Sequence, residues 1–262
     1  MNRPSFAVVG DNTIDRYIGA EQQDLAGGNA FNVAVQLALA GERVRYFGAV
    51  ADDADGEVIR AALVGAGVDV TGLVVLPGKT AVTLIRIQPD GDRVFEREDF
   101  GVTAEYTPSA DDVREIGAAD WVQIGMLPDA DLLRAQLVGS RIGQDCSVSA
   151  GFSGLAVAFG SVGEDDPESF ARQATIGGAA VAVATRGPLG AVAYTSNGEL
   201  HSVAAAPANV VDTTGAGDSF IAGYISATVA GSTIDQALEQ GARWAAVTCS
   251  HRGGFPQHGS DA

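Results

Sequence analysis

The stretch DTTGAGDSFIAG, residues 212–223, constrains the fold and function of this chain more than any other. Gly215 and Gly217 allow a tight turn whose backbone another group can approach closely, and residues 219–230 are predicted to be a helix. A glycine turn that opens a helix presents unpaired N–H groups and the positive end of the helix dipole, which together bind anions. We therefore predict an anion site here, with phosphate as its commonest occupant.

Asp218 stands out within this stretch. A carboxylate in the first turn stabilises a helix, but it repels a phosphate bound at the same place. One interpretation is a simple charge at the helix terminus. The other is a general base, which takes a proton from a hydroxyl group as that group attacks a neighbouring phosphoryl group. The residues alone leave both interpretations open.

Composition limits the class of protein. Of the 262 residues, 46% are hydrophobic and 19% are charged, which is typical of a globular protein and not of a disordered one. The net charge is −17 and no basic cluster is present, so we expect neither nucleic acid nor a membrane surface as a partner. Two distant cysteines predict neither a disulfide framework nor a zinc site. No run approaches the roughly 20 apolar residues of a membrane span, and no signal peptide is recognisable, so we expect a cytoplasmic protein.

Hydrophobic runs and glycine turns alternate along the chain. They predict an α/β fold with a mostly parallel, doubly wound sheet and helices on both faces. The predicted strands are residues 6–10, 44–50, 121–125, 146–150 and 179–184. The predicted helices are residues 55–66, 109–117, 129–139, 167–177 and 233–250. Alternating residues from 79 to 99 instead predict a hairpin, which is unusual in such a pattern.

Two groups of polar residues occur where an α/β sheet binds ligands. Asp11 and Asp15 follow the first predicted strand, and open α/β sheets hold ligands at the carboxyl ends of their strands. A solvated turn is the alternative. Two glycines at positions 27–28 open a predicted helix that runs to about residue 40. Asn29 and Asn32 lie in its first turns although asparagine is a poor helix former, and their amides could point at a polyol.

Both ends of the chain resemble one known family. DTTGAGDSFIAG is similar to the C-terminal signature of the ribokinase-like (PfkB) carbohydrate kinases, and GGNAFNVA at residues 27–34 is similar to their N-terminal signature. GDNTIDRY and DRVFEREDFGV resemble the fructosamine branch, the fructoselysine 6-kinases. The resemblance implies a single ribokinase-like kinase domain over residues 1–262, with lid strands at about residues 13–20 and 79–100. It also implies an enzyme that transfers a phosphoryl group from ATP to a hydroxyl of a sugar or a fructosyl amino acid.

The resemblance assigns roles to individual residues. It makes Asp218 the catalytic base and the backbone of Gly215, Ala216 and Gly217 an anion hole. The residues implied to bind the acceptor are Asp11, Asp15, Gly27, Gly28, Asn29 and Asn32. Those implied to bind the nucleotide are Thr185, Gly187, Gly190, Thr214, Gly215, Gly217 and Gly253. The implied cofactors are ATP and Mg²⁺, with a monovalent cation such as K⁺ beside Asp212 and Thr214.

The chain departs from the family after Ala150. A helix-length segment is missing there, and so is the Asn-x-x-Glu motif that orders magnesium through water. Glu164, or its neighbours Asp165 and Asp166, could supply this function. Equally, the three could form only the acidic first turn of the helix at residues 167–177. The missing segment also motivates an alternative function, a sugar-binding regulatory protein on a kinase scaffold.

Two further predictions concern the lid: an acceptor contact and a dimer. Arg86, Arg93 and Arg97 lie on the hairpin, in a chain with only 16 basic residues. Each could be a solvated edge charge, but we predict that at least one, Arg97 first, pairs with an anionic group of the acceptor. The free edges of a small sheet also predict a homodimer through the lid. The sequence does not fix the acceptor, and a ribokinase or nucleoside kinase of the same family is a further alternative.

Overall fold

A computed structural model of the chain describes residues 3–18, 22–87, 93–163 and 165–257. Its strands are β1 (Ser5–Val9), β2 (Thr13–Ile18), β3 (Gln23–Gly27), β4 (Arg43–Ala51), β5 (Asp69–Leu76), β6 (Val82–Ile87), β7 (Arg93–Asp99), β8 (Trp121–Ile124), β9 (Ile142–Asp145), β10 (Val157–Ser161), β11 (Val181–Thr185), β12 (Ala191–Thr195) and β13 (Leu200–Val203). Its α-helices are α1 (Asn29–Leu39), α2 (Ala54–Gly65), α3 (Ala110–Gly117), α4 (Ala130–Gln136), α5 (Pro167–Ile176), α6 (Ala216–Val229) and α7 (Ile234–Thr248). Among the helices so described, none is both long and apolar enough to span a bilayer.

Nine strands form one large sheet, in the order β13-β12-β11-β10-β9-β8-β1-β4-β5. The strands from β11 to β5 in this order run parallel to their neighbours, and β12 and β13 are antiparallel. Along the chain, β4 and β5 are added on one side of β1, and β8 to β13 are added on the other. The winding direction therefore reverses between β1 and β8. The predicted mostly parallel, doubly wound α/β sheet is confirmed.

Alternate residues of the central strands pack on opposite faces of this sheet. Phe6 and Val8 of β1 join the hydrophobic core formed with α1, α6 and α7. Ala7 and Val9 join the core formed with α3, α4 and α5. Because helices cover both faces, the central strands are continuously hydrophobic, as expected of a buried parallel sheet. This is why β1, β4, β8 and β11 could be predicted from short apolar runs, although β9 was placed too late in the chain and β10 was not predicted.

A second sheet, which we call the lid sheet, has the strand order β3-β2-β6-β7. Strand β2 pairs antiparallel with β3 and parallel with β6, and β6 pairs antiparallel with β7. Strands β2, β6 and β7 correspond to the predicted lid strands. The hairpin turn predicted between β6 and β7 lies outside the described residues. Strand β3 was not predicted, because QDLAG is short and has no alternating hydrophobic pattern.

The pairing register separates the two faces of the lid sheet. Asp15 pairs with Thr83 and lies on one face. Arg16 pairs with Leu84 on the other face, and Leu84 pairs in turn with Arg97 of β7. Paired residues share a face, and successive residues alternate between faces. Arg97 therefore lies on the face opposite Asp15.

The segment after α4 differs from the prediction. The strand predicted at residues 146–150 is wrong, because β9 ends at Asp145 and the chain then turns away. Buried Gln144 fixes this turn, since its Nε2 donates to the carbonyl oxygens of Ser149 at 2.9 Å and Ala150 at 3.1 Å. Arg134 Nη1 also donates to the Ala150 carbonyl, at 3.2 Å. In this described part of the chain no helix lies between β9 and β10, which pair directly.

Helix α6 begins three residues before its predicted start. It starts at Ala216, so Gly217 and Asp218 both lie in its first turn. Its N-cap is Gly215, whose φ of 73° is the left-handed conformation that glycine adopts without steric penalty. The glycine turn thus places the Asp218 carboxylate directly at the helix start.

Candidate active site

The carboxyl ends of β1, β8 and β9 meet where the winding of the sheet reverses, which is where open α/β sheets bind ligands. Asp11 follows β1, Gly125 follows β8, and Asp145 ends β9. The first turns of α1 and α6 lie at the same edge, because Asn29 of α1 donates hydrogen bonds to Asp11, Asp145 and Asp218. This edge of the sheet is the candidate active site.

Asp11 fixes the start of α1. Its carboxylate accepts hydrogen bonds from the N–H groups of Asn29 at 2.8 Å and Ala30 at 3.0 Å, two of the donors that a helix start leaves unpaired. The N-cap residue Gly28 has a φ of 115°, and a Cβ there would lie 2.6 Å from Asn12 Cα. Only glycine permits this approach. Whether Asp11 and the two glycines also bind an acceptor stays a prediction.

Asp218 of α6 lies against the first turn of α1. Its two carboxylate oxygens accept hydrogen bonds from Asn29 Nδ2 and Asn32 Nδ2, each at 2.7 Å. Asn29 and Asn32 are three residues apart and therefore share one face of α1. Two amide donors hold the carboxylate in one orientation, which a proton acceptor in a reaction requires. The structure thus joins three predicted site residues from opposite ends of the chain.

Asp145 is a further member of this group, which the sequence analysis missed. Asn29 Nδ2 donates to Asp145 Oδ2 at 2.8 Å, so one amide bridges the carboxylates of Asp145 and Asp218. Asp145 is 8% exposed and accepts a second hydrogen bond from the Ser147 N–H at 2.9 Å. The available signal was an acidic residue at the end of the buried run IGQD. Placing the strand at residues 146–150 concealed it.

The electrostatics of the site disfavour ionised carboxylates. Burial raises the pKa of Asp218 well above its ordinary value, the hydrogen bond from Asn32 opposes the shift, and the negative charges of Asp145 and Asp11 add to it. Burial also raises the pKa of Asp11 and of Asp145, against the hydrogen bonds that each accepts. Although Asp218 as a whole residue is partly exposed, its carboxylate lies among these buried groups. A carboxylate with a raised pKa binds a proton more strongly, which suits a general base.

Glycines make room for the two asparagine side chains. A Cβ on Gly125 would lie 2.6 Å from Asn29 Oδ1, and a Cβ on Gly254 would lie 2.3 Å from Asn32 Oδ1. A Cβ on Gly215 would lie 2.4 Å from the Cα of Gly254. Gly125 and Gly254 are therefore site residues that the sequence analysis missed. The sequence shows these glycines, but it does not show which side chains they contact.

Three buried side-chain oxygens at this edge have no hydrogen-bond partner among the described residues: Asn12 Oδ1, Asn29 Oδ1 and Asn32 Oδ1. A buried acceptor without a donor costs about 1–3 kcal/mol. The hydroxyl groups of a polyol are donors and can remove this cost. Asp218 lies beside the amides of Asn29 and Asn32 and can accept a proton from such a hydroxyl, so the chemistry of the site fits a polyol.

The turn before α6 has the geometry of a helix-start anion site. Helix α6 has no side-chain N-cap, and the Cβ position of Gly217 faces open space. The first N–H groups of a helix have no acceptor within the helix. The Ala216 N–H, however, donates to the Thr213 carbonyl at 3.2 Å, so the turn itself uses one of the three predicted anion-hole amides. Occupation of this turn by a phosphate stays a prediction.

The other predicted nucleotide-binding residues lie in two places. Thr185 ends β11, and Gly187 after it has a φ of 52° and open space at its Cβ position. Gly190 has a φ of 86°, and a Cβ there would lie 2.0 Å from a backbone carbonyl of β13, so strand packing requires this glycine. Gly253 has a φ of 72° and lies beside Leu25 of the lid sheet. Their contacts with a nucleotide stay predictions.

Asp212 connects the turn before α6 to the lid sheet and to the C-terminal segment. Its Oδ1 accepts hydrogen bonds from the N–H and the Oγ1 of Thr214, both at 2.8 Å. Its Oδ2 accepts from the Gly253 N–H at 3.0 Å, and the Tyr17 hydroxyl lies 3.4 Å away. Tyr17 shares a lid face with Asp15, so we call this the inner face of the lid sheet. A monovalent cation beside Asp212 and Thr214 stays a prediction.

Two predicted substrate contacts in the lid sheet lie on different faces. Asp15 is 7% exposed on the inner face, and a Cβ on Gly27 would lie 2.6 Å from Asp15 Oδ2. Arg97 lies on the outer face, with its side chain 70% exposed and its Nη2 3.4 Å from Asp99. The structure therefore brings Asp15 toward the site and does not bring Arg97 there. The role of each in binding an acceptor stays a prediction.

The predicted magnesium contact Glu164 lies outside the described residues. Its neighbour Asp166 is the N-cap of α5 and accepts a hydrogen bond from the Glu168 N–H at 2.9 Å. Asp166 therefore caps a helix, and a metal role for these acidic residues stays a prediction. Within the described ranges, no group of three His, Cys, Asp or Glu residues is arranged to hold a metal ion.

Comparison with known proteins identifies the family. The model of the pfkB family of carbohydrate kinases matches residues 9–138 and 151–257. The chain belongs to this family. It is a sugar kinase, and the predicted family and the predicted phosphotransferase activity are confirmed. The matched ranges leave out residues 139–150, which contain β9 and the start of the shortened connection.

Individual relatives cover nearly the whole chain. The fructoselysine 6-kinase of Escherichia coli is 31% identical over 96% of this chain and 99% of its own. The fructosamine kinase FrlD of Bacillus subtilis is 28% identical over 94% of this chain and 91% of its own. A ribokinase from Arabidopsis thaliana, solved with ribose and ATP, is 22% identical with a TM-score of 0.86, over 97% of this chain and 94% of that one. This likeness confirms the ribokinase-like fold, with its large sheet and its lid.

Proposed function

We propose that this sugar kinase transfers the γ-phosphoryl group of ATP to a hydroxyl group of a fructosyl amino acid. The observation that carries the proposal is the Asp218 carboxylate held between the amides of Asn29 and Asn32 at the start of α6. The carboxylate lies beside a helix start suited to an anion and beside side-chain acceptors suited to hydroxyl groups. Together these supply a base, a phosphate site and a polyol site, the parts that phosphoryl transfer to an alcohol requires.

Asp218 acts as the general base. It removes the proton from the acceptor hydroxyl while the hydroxyl oxygen forms a bond to the γ-phosphorus. The bond from the γ-phosphorus to the β–γ bridging oxygen breaks, and ADP leaves with that electron pair. The raised pKa of Asp218 increases its affinity for the proton. Once protonated, its side chain is neutral and no longer repels the phosphoryl group.

The glycine turn before α6 would hold the phosphate groups of ATP through its N–H groups. The turn after β11, with Thr185 and Gly187, would contact the rest of the nucleotide. Mg²⁺ bound with ATP would neutralise phosphate charge, and this ion commonly keeps several waters and takes only one or two protein carboxylates. Such an ion needs no three-ligand protein group, and the described residues contain none; Glu164 is the predicted contact. K⁺ beside Asp212 remains part of this proposal.

Two observations support a fructosyl amino acid as the acceptor. The relatives of Escherichia coli and Bacillus subtilis, a fructoselysine 6-kinase and a fructosamine kinase, match over both the lid sheet and the site. The site itself contains several buried carboxylates, among them Asp11, Asp15 and Asp145. A fructosyl amino acid carries a secondary amine that is protonated at neutral pH, whereas ribose and fructose are uncharged. A carboxylate that is ionised in this region would attract this ammonium group, which a neutral sugar lacks.

An ADP-release assay with a panel of acceptors tests the proposal. We expect fructosyl amino acids to give a higher kcat/KM than free fructose, ribose or nucleosides. Turnover of ribose or nucleosides without turnover of fructosyl amino acids would replace the proposed acceptor. A sugar-induced rise in melting temperature without ADP release would instead support the alternative, a regulatory sugar-binding protein.

We also propose that two chains associate through their lid sheets. Strands β3 and β7 form the edges of the lid sheet, and unpaired strand edges favour association with another chain. Size-exclusion chromatography with light scattering should give a mass twice that of the 26.7 kDa chain. The mass of a single chain at the assay concentration would contradict this proposal.

A further inference from the structure

The orientation of Asn29 depends on two carboxylates. Its Nδ2 lies 2.7 Å from an oxygen of Asp218 and 2.8 Å from an oxygen of Asp145. A side-chain amide nitrogen has two hydrogens, so these two bonds use both of them. The Asn29 Oδ1 has no hydrogen-bond partner among the described residues. The amide that holds one side of the base is therefore itself held by Asp145.

Asp145 is fixed by its position in the sheet. It ends β9, between β8 and β10, and its Oδ1 accepts from the Ser147 N–H at 2.9 Å. The Ser147 Oγ accepts in turn from the Ser161 N–H of β10 at 2.7 Å. Gln144 and Arg134 donate hydrogen bonds to backbone carbonyl oxygens of the loop that follows. The connection between β9 and β10 therefore holds the Asp145 carboxylate in a fixed position at the site.

We propose that Asp145 is a positioning residue for phosphoryl transfer, which holds Asn29 so that the Asn29 amide in turn holds the base Asp218. This inference rests on the proposed role of Asp218 as the base. Asp145 acts through Asn29 and needs no contact with the acceptor or with ATP. Residues 139–150 lie outside the ranges matched by the family model, and the hydrogen bond from Asn29 is what connects Asp145 to the base.

The charge of Asp145 has a second effect on the base. The groups that face the Asp218 carboxylate are Asn29 and Asn32 from α1, Asp145 from β9 and Asp11 from the segment after β1. The negative charges of Asp145 and Asp11 raise the pKa of Asp218. Removing the charge at position 145 should therefore let Asp218 lose its proton at a lower pH. A purely structural role for Asp145 would not produce this change.

The test compares two substitutions at position 145. Asp145→Asn keeps an oxygen that can accept from Asn29 but removes the charge, so the acidic limb of its kcat/KM profile should move to lower pH. At the pH where the wild-type enzyme has half of its plateau kcat/KM, the variant should have a fraction of its own plateau that is larger by about 1.5-fold or more. Asp145→Ala also removes the acceptor, and kcat should fall by roughly 10-fold while KM for ATP stays unchanged.

Ser147→Ala is the matched control, because it alters the same turn without changing charge, and its pH profile should match that of the wild-type enzyme. A wild-type acidic limb in Asp145→Asn, together with a wild-type kcat in Asp145→Ala, would overturn the proposal. An identical pH shift in Ser147→Ala would overturn it as well, since a disturbed turn would then explain the result.

A measurement on the wild-type chain tests the proposal even if the variants fail to fold. Carbon-13 NMR of labelled aspartate carboxyl groups, assigned with Asp218→Asn, should show Asp145 and Asp218 titrating in two coupled steps. Independent single-step titrations would contradict the proposal. Failure of the proposed function is distinguishable, because it appears as no ADP release by the wild-type chain with any acceptor, while the NMR titration still reports on this pair.

Discussion

The active-site edge and the lid sheet are both rich in polar side chains, but they hold them in different ways. At the edge, Asp218 and Asp145 are joined through Asn29 by hydrogen bonds of 2.7 and 2.8 Å, and Asp145 is 8% exposed. On the outer face of the lid sheet, Arg97 and Asp99 lie on one strand, with side chains 70% and 50% exposed. The first group is buried and linked across distant elements, whereas the second is solvated and local.

This difference predicts different roles for the two regions: catalysis at the active-site edge and covering of the site by the lid sheet. Exposed ion pairs contribute about 0–1 kcal/mol, whereas a buried polar group that loses its partner costs about 1–3 kcal/mol. Changes at the edge should therefore disturb several linked groups at once, and changes on the outer face of the lid should disturb little. We expect edge substitutions to lower kcat and lid substitutions to act, if at all, on KM.

The largest effect should come from Asp218→Asn. This substitution removes the proposed base while keeping the shape of the side chain, so kcat should fall by about 10²–10⁴-fold. Steady-state ADP release measures the loss. Asp235→Asn is the matched control, because Asp235 also lies in the first turn of a helix but at α7, and it should keep wild-type kcat. Wild-type turnover by Asp218→Asn would remove the proposed role of this residue.

The sequence predicted the two helix starts of the site because glycine-rich turns leave a local pattern. Asp218, Asn29 and Asn32 each occur in such a pattern, and the structure joins them. Asp145 could not be found in this way, since its role depends on the exact end of β9 and on a hydrogen bond between residues 116 positions apart. Gly254 was missed for a similar reason, because its function is to leave space for a distant side chain.

The prediction of strands from local sequence patterns has the same limit. Strands β1, β4, β8 and β11 are buried on both faces and could be predicted from continuous apolar runs, whereas β10 is equally buried and was not predicted. Strands β3 and β5 lie at sheet edges and were not predicted, because their residues are partly exposed and their pattern is weak. The register of β7 was also not predictable, since the β6–β7 pairing contains an irregularity after Leu84. That register decides the face on which Arg97 lies.

Gly254→Ala should give the next largest effect. Its Cβ would lie 2.3 Å from Asn32 Oδ1, so the Asn32 side chain must move away from the Asp218 carboxylate. A displacement of this kind in a catalytic group should lower kcat by roughly 10- to 100-fold. Gly65→Ala in α2 is the control, since nothing lies within 4 Å of its Cβ position, and it should keep wild-type kcat. Unchanged kcat in both variants would mean that Asn32 does not need its present position.

The pH dependence of activity should follow the raised pKa of Asp218. The base works only when it is ionised, so kcat/KM should fall at acid pH, by about 10-fold for each pH unit below the apparent pKa. The midpoint of this fall should lie well above the ordinary carboxyl value of 3.8. A profile that stays flat down to the ordinary carboxyl range would show that no raised carboxyl pKa limits the reaction.

The stability of the protein should change with pH in the opposite direction. Between the ordinary value of 3.8 and the raised folded-state pKa, Asp218 holds its proton in the folded state and has lost it in the unfolded chain. The folded state then binds more protons, so the free energy of unfolding should fall as pH rises through this window, by up to about 1.4 kcal/mol per unit. Urea unfolding of the wild-type chain and of Asp218→Asn at several pH values measures the difference. A wild-type slope in the variant would contradict the assignment to Asp218.

The smallest effect should come from Arg97→Ala. The sequence predicts that Arg97 binds an anionic group of the acceptor. Its loss would then raise KM for a fructosyl amino acid by about 10- to 100-fold and leave turnover of a neutral sugar nearly unchanged. The structure places this side chain on the outer face of the lid sheet, 70% exposed and 3.4 Å from Asp99. From that geometry we expect both KM values to stay within about twofold of wild type. Steady-state kinetics with both acceptors distinguishes the two expectations. A selective rise in KM for the fructosyl amino acid would show that the lid sheet also contributes a charge to acceptor recognition.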